Sequence, residues 1–365
     1  MNYPKRNLSA VYYSVICLAM ICLFSAAARA QMKMHVINVG QAEAVLLEFP
    51  RHAVLIDAGG EDTFETAVQN RFRRHLLEYL DAFFARRNDL NQTLYSVVVS
   101  HPHKDHTKNL RAVFERYTVK HFIEGGGSIN ASGMDDVRAI RNIVAEKNIA
   151  HHRIYARDVK RPSFMRDWSA ELLRDSQTEA KFLSAGRRCN DDNNASLVLR
   201  VAYQGKSFLF VGDAEIDDKE GRKLGCGGLL SRLLVEEVSF PELVDVDVLK
   251  VGHHGSKNGT SKAFLEKVTP QFAVLSAGVP ATRSSGRGRF FHAWNFGHPN
   301  EIAVKLLEEH TIKTRSTLNV TTMTKPRILI ENRPIDKAIY CTCWDGDLVF
   351  TVSAAGNLEA PETSN

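Results

Sequence analysis

The sequence predicts an α+β fold, one domain of two mixed β-sheets with helices on their outer faces. Three observations predict it. Short apolar runs recur along the chain and end repeatedly in Gly, Asp or His, as buried strands do where they enter loops. Stretches with helical apolar spacing lie between those runs. No proline-rich linker or low-complexity region divides the chain, and two strand–helix halves meet near residue 190. With 365 residues and 44% hydrophobic content, the chain can bury a large core.

Residues 34–39 and 44–49 read as two strands joined by Gly40-Gln41-Ala42-Glu43. Ala53–Ile56 is a third, ending at Asp57-Ala58-Gly59-Gly60, where glycine permits close backbone approach. Residues 63–87 place Phe64, Ala67, Val68, Phe72, Leu76, Leu80 and Phe83 on one stripe of a long helix. Its arginines form a solvated face. Residues 96–99 make a buried strand that enters a histidine-rich loop, and a helix begins at Thr107. Residues 121–124 form a strand before Gly125-Gly126-Gly127, which lacks the Gly-Lys-Ser/Thr of a phosphate loop. Residues 135–147 are helical. His151 and His152 precede a strand and point to opposite faces, in structural roles. Polar residues 190–194 lead into strands 196–203 and 207–211 around a Gln204-Gly205 turn. Further strands cover 245–251 and 272–276, then helix Glu301–His310, then strands near 338–343 and Leu348–Val352. The end, 354–365, reads as frayed.

Residues 1–30 read as a targeting segment. Lys5 and Arg6 form a basic start, residues 11–24 are apolar, and Ala28-Arg29-Ala30 is a cleavage site before Gln31. The expected mature chain, 31–365, is a secreted or periplasmic bacterial protein with no stable membrane partner. Removing Lys5, Arg6 and Arg29 takes the formal charge from +5 to +2, so overall charge does not announce a nucleic-acid binder. Four cysteines remain, Cys189, Cys226, Cys341 and Cys343. Cys189–Cys226 is the favoured bridge, since a bridge between residues two apart would be strained. Cys341-x-Cys343 as a metal site is the alternative.

The chemistry concentrates in Ser100-His101-Pro102-His103-Lys104-Asp105-His106. In an extended loop, residues two apart point the same way. His101, His103 and Asp105 then converge on one point, while His106 turns toward another. This suits two adjacent metal ions. Imidazole with carboxylate favours zinc, with manganese or iron as alternatives. Asp57, at a strand end, is placed to orient a ligand histidine. Asp213 follows a glycine at a strand end and can bridge two metals. Gly252-His253-His254-Gly255-Ser256 offers one more ligand from a third strand end. The stretch 283–294, rich in Arg, Gly and aromatics, is a candidate for holding phosphates and stacking a base.

These motifs resemble the metallo-β-lactamase fold superfamily, and within it the hydrolase domain of ComEC-type competence proteins. The carrying residues are Val39–Ala44, Leu55–Gly60, Ser100–His106, Asn193–Leu199, Val211-Gly212-Asp213, Leu249–Ser256 and Gly297-His298-Pro299. They occur in family order across nearly the whole mature chain. The resemblance implies a four-layer αβ/βα sandwich with metals at one edge of the two sheets. It implies that His101 and His103 hold a first metal. Asp105, His106 and His253 hold a second, with His254 the alternative to His253. Asp213 bridges, Asp57 supports a ligand, and His298 contacts substrate or leaving group. Two departures stand out. Asp191-Asp192-Asn193-Asn194 replaces a further histidine common in this superfamily, and Gly40-Gln41-Ala42-Glu43 replaces Gly-Gln-Gly-Asp. The first site is then short of a strong ligand unless Asp191 or Asp192 contributes.

The function expected is an exported hydrolase using one or two zinc ions, with manganese as an alternative, and acting as a phosphodiesterase on DNA or another phosphodiester. In that reading Asp105, Asp213, His298 and Asp57 serve the reaction. Two alternatives are a hydrolase of a lactam, lactone or small ester, and a catalytically idle metal-containing binding protein. The intact ligand set argues against the last, because a structural site closes with four ligands.

Overall fold

The computed structural model describes residues 31–61, 66–125, 130–159, 168, 178–184, 192–216, 228–236, 245–280 and 293–365. The first sheet combines β1 (Met32–Val36), β2 (Val45–Glu48), β3 (Ala53–Ile56), β4 (Thr93–Val99), β5 (Thr118–Glu124) and β6 (Ala150–Arg153). With β15 (Leu348–Val352) and β16 (Glu362–Thr363) its order is β16-β15-β1-β2-β3-β4-β5-β6. The second holds β7 (Thr178–Ser184), β8 (Val198–Tyr203), β9 (Lys206–Phe210), β10 (Val248–Lys250), β11 (Phe272–Leu275) and β14 (Ile339–Cys341). Its order is β14-β11-β10-β9-β8-β7. A two-stranded sheet, β12 (Thr314–Lys325) and β13 (Ile328–Lys337), stands apart from both.

Alternation along the strands makes the layers. Met34 and Val36 of β1 meet Phe208 and Phe210 of β9 and Phe272 and Val274 of β11 in the core between the sheets. Their neighbours face outward. Leu209, Leu249 and Leu275 pack on α4 (Leu229–Glu236), α5 (Lys262–Val268) and α6 (Glu301–His310). Leu55, Val97 and Phe122 pack on α1 (Thr66–Arg86), α2 (Leu110–Arg116) and α3 (Met134–Glu146). On α1, Leu76, Leu80 and Phe83 are buried one or two turns apart, as helical spacing requires. The result is the four-layer αβ/βα sandwich.

Parallel pairing then positions the site. β3, β4 and β5 run parallel, as do β9, β10, β11 and β14. Parallel neighbours deliver their carboxyl ends to one edge. Asp57 follows β3, the histidine loop follows β4, Asp213 follows β9, and His253-His254 follows β10.

Several expectations are corrected. The histidine loop is not extended throughout, because Lys104–Thr107 forms a helical turn ahead of α2. The tail is not frayed, since Glu362 and Thr363 pair with Val349 and Leu348. His151 and His152 lie within β6 rather than before a strand, and there they contact Glu124 and His121 respectively. Cys341 is bridged to Cys343, at a Cα–Cα distance of 5.1 Å. The bridge forms because β14 ends at Cys341 and the chain turns at once into a helical turn, Thr342–Asp345, which brings the second Cα within disulfide range. The hairpin β12–β13 and strand β7 were not expected. Residues 1–30, Gly126, Gly127, Cys189, Asp191, Cys226 and residues 283–292 lie outside the described residues. Among the described residues no helix is long and apolar enough to cross a membrane.

Candidate metal centre

Asp105, His106, Asp213 and His254 are buried, and one ligand atom from each lies within 4.8 Å of the others. The helical turn at Lys104–Thr107 explains why Asp105 joins His106 here instead of His101 and His103. His106 Nε2 stands 3.2 Å from Asp213 Oδ1 and 4.0 Å from Asp105 Oδ2. His254 Nε2 stands 3.1 Å from Asp105 Oδ2 and 3.5 Å from Asp213 Oδ2. Asp105 Oδ1, His106 Nε2 and Asp213 Oδ1 are buried without a hydrogen-bond partner. Unpaired buried polar atoms cost free energy. A divalent cation among them would remove that cost, so the donor set fits a metal.

The surroundings aim these side chains. Asp57 accepts from Ser100 N at 2.8 Å, from Ser100 Oγ at 2.7 Å and from His106 Nδ1 at 2.7 Å. This leaves His106 Nε2 facing the carboxylates. Asp57 has φ 57°, an unusual conformation for a non-glycine residue. Ser276 O accepts from His254 Nδ1 at 2.7 Å. Ser196 Oγ accepts from Asp213 N at 3.0 Å. At Gly59 a Cβ would lie 1.6 Å from Asp105 O, so only glycine lets the two loops meet. Glu43 N donates to Asp105 O, and the Glu43 carboxylate receives the buried Lys250 ammonium at 2.6 Å. The departure at Glu43 therefore keeps its carboxylate in use as a buried ion pair behind Asp105.

A second group sits beside the first. His101 Nε2 lies 3.0 Å from His103 Nδ1 and 3.9 Å from Asp213 Oδ2. Asp192 approaches His103 from its other nitrogen, Nε2, at 3.9 Å. His253, the expected ligand after β10, instead places Nδ1 2.8 Å from Glu215 Oε1 and Nε2 3.9 Å from Asp213 Oδ2. Both histidines after β10 have positive φ, and this sharp turn sends His254 inward and His253 toward Glu215. His298 Nδ1 is 3.1 Å from Gln41 Nε2, and its ring lies 5.2 Å from His253 and 6.2 Å from His254. Sequence reasoning missed Glu215, Gln41, Lys250 and Ser276. Glu215 had a signal as the acidic residue two positions after Asp213, and Gln41 and Lys250 lie inside motifs at the strand ends.

Burial and charge divide the imidazoles. Burial lowers His254, but Asp213 and Asp105 outweigh it and raise it to about 10. Burial likewise lowers His106, and Asp213, Asp57 and Asp105 raise it well above its ordinary value. Burial raises the Asp213 carboxyl, yet His254, His106 and His253 hold it well below the carboxylate range. His101 goes the other way, lowered by burial and then by His106. His298 is lowered by burial and by His253 and His254. Protons on His106 and His254 thus balance the buried carboxylates, a task that a bound metal ion would take over.

The sequence matches the Metallo-beta-lactamase superfamily over residues 37–279. This chain belongs to the metallo-beta-lactamase superfamily. Members of that superfamily are mostly metal-dependent hydrolases. Among curated relatives, the chain is 26% identical over 328 residues to ComE operon protein 3 of Bacillus subtilis (strain 168), covering 87% of this chain and 36% of that one. It is 33% identical over 140 residues to competence protein ComA of Neisseria gonorrhoeae, covering 38% and 16%. The chain therefore spans about a third or less of the length of these relatives. Among solved structures it is similar to the metallo-beta-lactamase fold protein YhfI from Bacillus subtilis, at 12% identity and TM-score 0.34, covering 61% and 70%.

Proposed function

We propose that this superfamily member is an exported, zinc-dependent phosphodiesterase that cleaves nucleic acid, with manganese as an alternative metal. One observation carries the reading. The buried Asp105–His106–Asp213–His254 cluster has unpaired inward-facing atoms and adjoins a second histidine pair at Asp213. Asp105, His106 and His254 would hold one ion and His101 with His103 another, with Asp213 between the two groups. Bound metal would supply an acidified water and neutralise charge on a phosphoryl oxygen. Asp57 and the Ser276 carbonyl keep the ligand rings oriented, and Glu43 with Lys250 holds the backbone at Asp105. His298, steadied by Gln41, reaches the substrate or the leaving group. Competence proteins among the relatives support a nucleic-acid substrate, and residues 1–30 support export to a secreted or periplasmic location.

The test is cleavage of linear single- and double-stranded DNA by residues 31–365 with added zinc or manganese. Cleavage is expected with metal, and should fall to background with chelator and in Asp213→Asn. Absence of cleavage with either metal would overturn the phosphodiesterase reading and favour a small ester or lactam.

A further inference from the structure

We propose that the tip of the β12–β13 hairpin is a substrate arm that holds single-stranded nucleic acid beside the metal centre. Phosphates lie on Lys325 and Arg327, and a base stacks on Phe296. The inference rests on the phosphodiesterase reading and names how that substrate is held.

The two ends of the hairpin differ in what their cations do. Toward the base, Arg315 pairs with Asp345 at 2.6 Å, and Arg333 pairs with Glu301 at 2.8 Å and with Glu308. Val320 and Ile335 are buried there against Val304 of α6. These arginines belong to the fold. At the tip, Lys325, Pro326 and Arg327 are exposed. Among the described residues neither tip cation forms an ion pair. Among the described residues no acidic group uses their charge, yet the backbone that presents them is held firmly.

That backbone is docked on the segment that carries His298. Arg327 N donates to Trp294 O at 2.9 Å, Met323 N to Pro299 O at 2.9 Å, and Asn300 Nδ2 to Thr324 O at 3.3 Å. Gly297 has φ 79°, and a Cβ on it would lie 2.8 Å from Pro326 N, so the tip closes directly over this turn. The same turn presents Phe296, which is 39% exposed. The Phe296 ring lies 5.9 Å from the His298 ring, which in turn contacts His253 and His254. A line of rings thus runs from an exposed aromatic to the metal centre, with two unpaired cations at its outer end. Exposed aromatic rings stack bases of unpaired strands, and adjacent cations hold the phosphates. A duplex offers no free base face to Phe296, so a single strand is the better fit.

The experiment measures anisotropy of a labelled single-stranded oligonucleotide with the full chain in an Asp213→Asn background. Lys325→Gln with Arg327→Gln should weaken binding at low salt and reduce the slope of log affinity against log salt by about 1.4, near 0.7 per phosphate contact. Phe296→Ala should weaken binding roughly tenfold with the slope unchanged, the mark of lost stacking. In the otherwise wild-type chain, the Gln pair should raise KM for the oligonucleotide and leave hydrolysis of bis(p-nitrophenyl) phosphate unchanged. Unaltered affinity and slope in the Gln pair would overturn the arm. Equal loss on duplex and single strand, with no effect of Phe296→Ala, would overturn it too. If the wild type cleaves no phosphodiester, the catalytic reading fails by itself, and the anisotropy still decides the arm.

Discussion

The two halves of the candidate metal centre share Asp213 but are built differently. Around Asp105, His106 and His254, every ring has a partner behind it, Asp57 for His106 and the Ser276 carbonyl for His254. Those side chains are buried. Around His101 and His103 the support is thinner. His101 Nδ1 has Ser100 Oγ behind it, at 3.2 Å, and His103 is 28% exposed with Asp192 as its charged neighbour at 3.9 Å. Preorganised ligands bind a metal more tightly than ligands the metal must itself gather. The difference predicts two unequal binding steps, a tight one at the buried half and a weak, exchangeable one at the other.

The strongest way to break that contrast is Asp57→Asn. With the amide oxygen held by Ser100 N, the substitution sets a donor NH2 against His106 Nδ1, and loss of such a partner costs roughly 10- to 100-fold in metal affinity. Zinc titration by calorimetry should show the tight step weakened by that factor and the weak step changed less. Equal loss at both steps would mean that the halves are not separately supported.

Proton competition offers a smaller and finer contrast. His254, raised to about 10, and His106, also raised, carry protons at neutral pH in the metal-free protein. A metal must displace them, so affinity at the tight step rises with pH by up to about tenfold per unit for each proton released. For His254 this continues until the pH nears 10. His101 is lowered by burial, so it has no proton to give up on binding at neutral pH. Titrations between pH 6 and 8 in buffers of different ionisation enthalpy count the protons at each step. A tight step independent of pH would contradict the charge balance described here.

Much of this was legible in the residues. Strand period placed the core, as in the alternation of Phe208, Leu209 and Phe210 between two different layers. Strand ends carrying Asp57, His101 to His106 and Asp213 placed the site edge. What the sequence hid was local backbone geometry. The helical turn at Lys104–Thr107 moved Asp105 to the His106 side, and positive φ at His253 and His254 decided which ring faces inward. Neither follows from residue type. Contacts such as Glu43 with Lys250 join positions 207 residues apart and have no local pattern. The β12–β13 hairpin was missed because its strands are largely exposed and polar, and so lack the apolar alternation that marks a half-buried strand.

The smallest expected effect concerns the sequence departure itself. Asp192 lies in the acidic and amide stretch just before β8, and the simple reading makes it a substitute ligand. The geometry argues otherwise. His103 turns Nδ1 toward His101 Nε2, 3.0 Å away, so an ion held by both rings would lie on that side. Asp192 faces Nε2, the opposite side of the same ring. Its carboxylate can orient the ring as Asp57 orients His106, but across a longer and partly exposed contact. Such contacts are worth about 0.2–1 kcal/mol. Asp192→Asn should therefore weaken only the second zinc step, by roughly fivefold or less. A loss of 100-fold or more would make Asp192 a ligand in its own right and bring the two halves closer to equal.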